Sequence, residues 1–266
     1  MKPESSPTPC IGVFDSGVGG LSVLRALRTR LPGVPLRYLA DSAHAPYGER
    51  DPAHVEARSE AITRHLLAMG SRVIVVACNT ATALAVHRIR ALWPTLPVVG
   101  VEPGIKPAAA LSPHGRIGVM ATPGTLASSR FAELLQRHGG TAYWHLLPCP
   151  GLAKAIEQGT LDDPALLALV RHFAGDLREA QVDTVVLGCT HYPFVADPLR
   201  AALPEGTRFV DTAHAVADRA ATLWGALGMD VTAGEMHLST TGDPEAMARV
   251  ARPWLRFAGT IDRVDV

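Results

Sequence analysis

At 266 residues, 47% of them apolar and 5% aromatic, the chain has enough material for one large or two modest domains, each with its own hydrophobic core. Its 25 Lys and Arg balance 25 Asp and Glu, so no basic field exists to attract a phosphate backbone or an anionic bilayer, and neither nucleic acid nor membrane is expected as a partner. The opening stretch Met1 to Pro9 is Pro- and Ser-rich without an apolar run, and no later segment approaches the roughly 18 residues that a membrane span needs, which predicts a soluble cytoplasmic protein.

Ile11 to Phe14 predicts a short strand, after which Asp15-Ser16-Gly17-Val18-Gly19-Gly20 turns into a helix that starts near Leu21 and ends before Pro32. The glycines let backbone approach a ligand, but their spacing is neither the dinucleotide fingerprint nor a P-loop. Leu36 to Ala40 is the next strand. It runs into the polar loop Asp41 to Glu49, which contains Pro46-Tyr47-Gly48 and is too rich in turn formers for a helix. A helix over Val55 to Met69, a strand over Val73 to Ala77, and a helix opened by Cys78-Asn79-Thr80 and stopped by Pro94 follow. Val98 to Val101 is a short strand, and the Pro-rich run Glu102 to Pro107 reads as the first crossing between two domains.

The alternation then restarts. Arg116 to Met120 predicts a strand, Ala121 to Thr125 opens one helix to about Arg137, and Tyr143 to Leu147 predicts another strand. A short helix carrying Glu157 precedes a longer one over Pro164 to Ala180, whose buried face is read from Leu167, Val170, Phe173 and Leu177. The strand Val182 to Leu187 leads to Cys189, and a helix from about Pro193 to Leu203 follows. Arg208 to Val210 as strand, Ala215 to Leu227 as helix, Met236 to Thr240 as strand and Glu245 to Arg252 as helix complete the reading. Such alternation implies parallel sheets with crossover helices. The fold class is α/β, with two similar doubly wound parallel-sheet domains facing each other across a cleft. Residues 1–102 plus 213–266 form the first, on the Cys78 side, and 103–212 the second, on the Cys189 side.

Two stretches carry the chemistry. Val73 to Thr82, ending Ala77-Cys78-Asn79-Thr80-Ala81-Thr82, and Val185 to Pro193, ending Gly188-Cys189-Thr190-His191-Tyr192-Pro193, each run a β-branched strand into a thiol and then into small polar residues. Each thiol thus falls where a buried parallel strand hands over to a helix, the usual ligand edge of an α/β sheet. The four cysteines are too few and too widely spaced for a disulfide scaffold. No Cys-x-x-Cys pair suggests zinc, and no metal site is expected. Cys10 and Cys149 read as buried small hydrophobes. No lysine stands in a pyridoxal-type context, so no cofactor is expected either.

Taken together, Phe14-Asp15-Ser16-Gly17-Val18-Gly19-Gly20-Leu21, Pro46-Tyr47-Gly48, Ala77-Cys78-Asn79-Thr80-Ala81, Glu102-Pro103 and Leu187-Gly188-Cys189-Thr190-His191-Tyr192-Pro193 resemble, in order, the segments of the cofactor-independent glutamate racemases of the aspartate/glutamate racemase superfamily. The resemblance implies interconversion of L- and D-glutamate, supply of D-glutamate to peptidoglycan, and a homodimer. It implies that Cys78 and Cys189 are the two acid/base thiols. Asp15, Ser16, Pro46, Tyr47, Gly48, Asn79, Thr80, Thr122, Thr190 and His191 fall where such proteins hold substrate, and Asp15, His191 and Glu157 resemble side chains that support catalysis. The alternatives are aspartate or hydantoin racemisation in the same superfamily, or a non-catalytic small-anion binding module.

The chemistry suits these residue types. Inverting an α-carbon without a cofactor needs two opposed acid/base groups, and a thiol with a pKa of about 8.5 works near neutral pH once a base or a helix N-terminus assists it. A helix opening after each cysteine supplies such partial positive charge, and His191, two residues on from Cys189, reads as a neutral imidazole able to shuttle a proton. Because the motif loops contain no arginine, a dianionic substrate has to be held by backbone amides and hydroxyls.

Overall fold

The computed structural model of the chain describes residues 7–158, 160–229 and 234–266. Residues 1–6 of the Pro- and Ser-rich opening stretch lie outside the described residues. The strands are β1 (Cys10–Asp15), β2 (Leu36–Ala40), β3 (Ser71–Val76), β4 (Val98–Gly100), β5 (Arg116–Ala121), β6 (Tyr143–Pro148), β7 (Thr184–Leu187), β8 (Arg208–Val210), β9 (Met236–Thr240) and β10 (Ile261–Arg263). They form a six-stranded sheet in the order β10-β9-β2-β1-β3-β4 and a four-stranded sheet in the order β6-β5-β7-β8. Every strand pairing is parallel.

Sequence explains which strands are central. All six residues of β1 and all four of β7 are buried, the signature of strands covered on both faces by crossover helices. The helices are α1 (Leu21–Arg30), α2 (Pro52–Ala68), α3 (Asn79–Leu92), α4 (Ile105–Leu111), α5 (Pro123–Leu126), α6 (Ser129–His138), α7 (Leu152–Gln158), α8 (Pro164–Glu179), α9 (Ala196–Ala202), α10 (Ala213–Gly225) and α11 (Pro244–Leu255). On the first sheet, Phe14, Leu39, Ile74 and Val76 pack against α2 and α3, while Ile11, Val13, Val73 and Val75 face α1 and α10. On the second, Ile117, Val119 and Val186 meet α4 and α6, and Val185 and Leu187 meet α7, α8 and α9. Both sheets are therefore doubly wound, as the alternation of strand and helix predicts. One apolar cluster runs on from β1 and α1 through Cys189 to α8, so the two sheets share packing along their seam.

Helix starts follow local chemistry. Asp51, Asp163 and Asp243 each accept a backbone N–H in the first turn of α2, α8 and α11, and a proline follows each of them at the first helical position. This cap starts α2 at Pro52, three residues before the predicted Val55. The single helix predicted from Ala121 to Arg137 is two: Thr122 caps α5, and Ser128 breaks the run and caps α6 through the Phe131 amide. The crossing at Glu102 to Pro107 already turns helical at Ile105, because Pro107 lies in the first turn, where its missing N–H costs nothing. The loop from Asp41 to Glu49 contains two short 3-10 turns, Ser42–His44 and Tyr47–Glu49. Leu166, not Leu167, is the fully buried leucine at the start of α8. The edge strand β10 has a polar sequence and went unpredicted.

One buried ion pair fixes the loop after β2. The Asp41 carboxylate accepts from Tyr47 Oη at 2.6 Å, Arg58 Nε at 2.9 Å, Arg58 Nη2 at 2.8 Å and Thr241 Oγ1 at 2.9 Å. Burial alone would raise its pKa, but the bonds from Arg58 and Tyr47 outweigh that and hold the carboxyl below its ordinary range. Arg58→Ala strands a buried carboxylate and is expected to cost about 3 kcal/mol of stability, read from urea denaturation at pH 7. A lowered carboxyl contributes stability that is present above the unfolded pKa of about 3.9 and is lost as pH falls through the lower folded value. The acid limb of the stability profile should therefore be shallower in Arg58→Ala than in the parent.

Candidate active site

The carboxyl ends of β1, β3 and β7 deliver Asp15, Cys78 and Cys189 to one place. Asp15 is fully buried, and Cys78 and Cys189 are only 5% and 6% exposed, so the site is closed to bulk water. Asp15 Oδ1 accepts from the Ser16 amide at 2.6 Å and from Ser16 Oγ at 3.1 Å, while Oδ2 accepts from Thr190 Oγ1 at 3.1 Å. Asp15 and Ser16 come from the first sheet and Thr190 from the second, so this carboxylate crosses the seam. Cys78 Sγ points at Ser16 Oγ at 3.9 Å and receives the Ala81 amide of the opening turn of α3 at 3.5 Å. Burial and the neighbouring Asp15 push the Cys78 thiol well up, against the pull of the Ala81 amide. Burial, with Glu157 adding to it, also raises the Asp15 carboxyl although His191 opposes this.

Cys189 has a different partner. His191 Nδ1 lies 3.7 Å from its Sγ, and Nε2 lies 2.8 Å from Glu157 Oε2. Glu157 also accepts from the Val18 amide at 2.8 Å and from Ser42 Oγ at 2.9 Å, which joins α7 to the Gly-rich loop and to the loop after β2. Burial disfavours the charged ring, but the bonds to Cys189 and Glu157 win and hold His191 well above the usual histidine range. Glu157 likewise sits below the usual carboxylate range, burial being outweighed by His191, Val18 and Ser42. The surroundings of His191 thus favour its protonated ring more than its ordinary pKa implies. The predicted helix after Cys189 is also displaced: a 3-10 turn over Tyr192–Val195 comes first and α9 starts only at Ala196. The intervening residues send Thr190 to Asp15 and His191 to Glu157. Cys78 has the predicted helix N-terminus beside it, and Cys189 has the His191 ring in its place.

Glycine is required at two positions of the Gly-rich loop. A Cβ on Gly17 would fall 2.3 Å from Glu157 Oε1, and one on Gly19 would fall 2.4 Å from His191 Nδ1 and 2.7 Å from Asp15 Oδ2. Hydroxyls line another side. Thr80 Oγ1 lies 3.1 Å from Thr122 Oγ1, which lies 3.0 Å from Thr125 Oγ1, again across the seam. Gly48 is pressed against Thr122, where a Cβ would come within 2.7 Å of the Thr122 Cβ. Pro46 precedes the turn that presents Gly48, and the Tyr47 phenol is fully buried on Asp41, so only the backbone of Tyr47 is free to meet a ligand. Asn79 is buried with its amide nitrogen on the Val101 carbonyl at 3.3 Å.

Contacts thus link Asp15, Ser16, Cys78 and Thr190 in one hydrogen-bonded set, Cys189, His191 and Glu157 in a second, and Thr80, Thr122 and Gly48 in a third. Ser42 and Thr125 complete these sets and were not predicted. Thr125 sits three residues after Thr122 on a capped turn, a spacing that signals a shared face, whereas nothing local in Ser42 points to Glu157. Among the described residues, no group of three or more His, Cys, Asp or Glu is placed to hold a metal ion.

Two doubly wound parallel sheets thus bring two buried thiols, each with a polar partner of its own, to one site. Residues 11–220 match the Asp/Glu/Hydantoin racemase family, and the chain belongs to that family. It is 48% identical over 215 residues to a glutamate racemase of Ectopseudomonas mendocina, covering 81% of this chain and 82% of that one. The crystal structure of a glutamate racemase isoform from Bacillus anthracis superposes with a TM-score of 0.87 at 30% identity, covering 97% of this chain and 98% of the other. The Escherichia coli glutamate racemase, solved in complex with L-glutamate and the activator UDP-MurNAc-ala, gives 0.87 at 32% identity with the same coverage of 97% and 98%.

Three outcomes are expected from this geometry. Gly19→Ala should push the imidazole and the Asp15 carboxylate apart and lower turnover by roughly 10²-fold while thermal unfolding moves little, which parallel rate and melting measurements check. His191 should remain doubly protonated through the ordinary histidine range around pH 6.5 in nitrogen-15 spectra. Glu157→Gln should bring its titration back down toward that range.

Proposed function

We propose that this protein is a glutamate racemase that moves the α-proton of glutamate between Cys78 on one face and Cys189 on the other, supplying D-glutamate for peptidoglycan. The observation that carries this reading is the pair of buried thiols at the carboxyl ends of β3 and β7, each with a separate hydrogen-bonding partner. Racemisation needs that arrangement, because the base that takes the proton and the acid that returns one must stand on opposite faces. Names borne by relatives at 42–48% identity point to the same substrate.

The two thiols are served differently. A hydrogen-bonded line runs from Cys78 Sγ through Ser16 Oγ to Asp15, whose raised pKa makes it a ready acceptor for the thiol proton. Cys189 is served by the His191 cation, which Glu157 holds in place and in charge. Cys78 takes the proton from D-glutamate and Cys189 takes it from L-glutamate. In each direction the carbanion formed at Cα is quenched by the opposite thiol, so one C–H bond breaks, one forms, and no electron leaves the pair. Backbone amides of the Gly-rich loop and of Pro46-Tyr47-Gly48, with Ser16, Asn79, Thr80, Thr122 and Thr190, hold the substrate carboxylates and so stabilise the carbanion. No cofactor takes part. The catalytic unit is divided between a first domain of residues 1–102 plus 213–266 and a second of residues 103–212, and the protein works as a homodimer in the cytoplasm.

Cys78→Ala and Cys189→Ala should each fold, bind glutamate and lose turnover by roughly a thousandfold or more, followed by circular dichroism from either enantiomer. In deuterium oxide, Cys78→Ser should exchange the α-proton of L-glutamate and Cys189→Ser that of D-glutamate. Comparable racemisation by either alanine variant, or exchange of both enantiomers by one serine variant, would overturn the two-thiol scheme. Turnover of L-aspartate in preference to L-glutamate would move the substrate assignment to the sister activity.

A further inference from the structure

The thiols are nearly sealed, yet a cavity of about 300 Å³ reaches the outer side of Glu157, the partner of His191. Its inner wall is made of Val18, Ser42 and Glu157, the residues whose mutual hydrogen bonds close the site around His191. The other walls come from both sheets' helices: Lys154 lies on α7, while Asp243 and Arg249 lie at the start and in the body of α11. The cavity therefore straddles the seam, one hydrogen bond away from the His191 ring. Its size sits at the lower end of small-molecule pockets, which run from roughly 300 to 1,000 Å³.

Charge on its wall is unequal. Lys154 and Arg249 form no ion pair with any described residue. The two carboxylates present are both engaged: Glu157 on His191, Val18 and Ser42, and Asp243 on the Glu245 amide that it caps. Two cations without partners, one from each half of the molecule, thus face a cavity that opens onto a site with no arginine of its own. With Glu157 facing His191, the two cations stand against one remaining carboxylate, Asp243, and an excess of one sign on a cleft wall raises the local concentration of the opposite ion.

We propose that this cavity is an outer binding station for the dicarboxylate substrate, with Lys154 and Arg249 as its two cationic walls and the Ser42 to Glu157 hydrogen bond as the partition the substrate passes to reach the thiols. This rests on the glutamate racemase reading above. Neither cation touches the reacting carbon, so each acts on capture and not on chemistry, and acts alike on both enantiomers because the station lies outside the groups that distinguish them.

The test compares Lys154→Gln/Arg249→Gln with a control of equal charge change, Arg72→Gln/Arg171→Gln, whose exposed side chains lie away from the cavity. In low salt the first double variant should raise KM for L- and D-glutamate together by about 3- to 10-fold with kcat within about twofold of the parent. The difference should shrink as salt rises and screens the wall. Lys154→Arg/Arg249→Lys should behave as the parent, and the distant control should not raise KM. An unchanged KM, a rise matched by the control, or a fall in kcat at constant KM would overturn the station while leaving the racemase reading intact. If the parent fails to racemise glutamate, that reading falls instead. Calorimetric binding of glutarate to parent and double variant then decides the station by itself, with equal affinities overturning it.

Discussion

Exclusion of water from a space that holds Asp15, Glu157, His191 and two thiols is the condition on which the rest of this structure depends. In so dry a setting a lone charge is costly, and each group is therefore tied to a partner of complementary character. The consequences differ between the two thiols. Cys78 rests beside a carboxyl whose pKa is raised by burial, and its proton has a route through Ser16. Cys189 rests beside His191, whose pKa is raised by its bonds to Cys189 itself and to Glu157 at its far nitrogen. One sheet edge holds an acceptor and the other a donor, so the site is chemically asymmetric although the two halves are built alike.

That asymmetry explains why the seam between the sheets is polar at its centre and apolar around it. Thr190 reaching Asp15, Ser42 reaching Glu157 and Thr80 reaching Thr122 each join one sheet to the other by a single hydrogen bond. Two of them end on a carboxylate, and bonds to charged groups contribute about 1.5–3 kcal/mol each. Shared apolar packing through Cys189 and Val18 supplies the steadier part of the contact.

Much of this was legible in the chain, for stated physical reasons. The strand ends at Cys78 and Cys189 were visible because β-branched runs followed by small polar residues mark buried parallel strands feeding a loop. The sheets and their double winding followed from alternation alone. Electrostatic surroundings were not legible: His191 meets Glu157, 34 residues away in sequence, and no local pattern announces that contact. Helix boundaries failed where a cap residue lay outside the apolar period, as at Asp51 and Ser128. The start of α9 moves to Ala196 because residues Tyr192–Val195 form a 3-10 turn first. Polar β10 gave no hydrophobic alternation, because it is an edge strand held by backbone pairing to β9.

The placement of β9 bears on how the chain is made. Strand β2 pairs on one side with β1, its near neighbour in sequence, and on the other with residues Met236 to Thr240. During synthesis from the N-terminus, that flank of β2 stands bare until every strand of the second sheet has been made, and an uncovered strand flank is a template for wrong pairing. The second sheet, whose strands lie between residues 116 and 210, has no such wait. The nascent chain therefore passes through a stage in which the later-made sheet is complete and the earlier-made one is not, and it is during that interval that chaperone capture or aggregation would act on this protein.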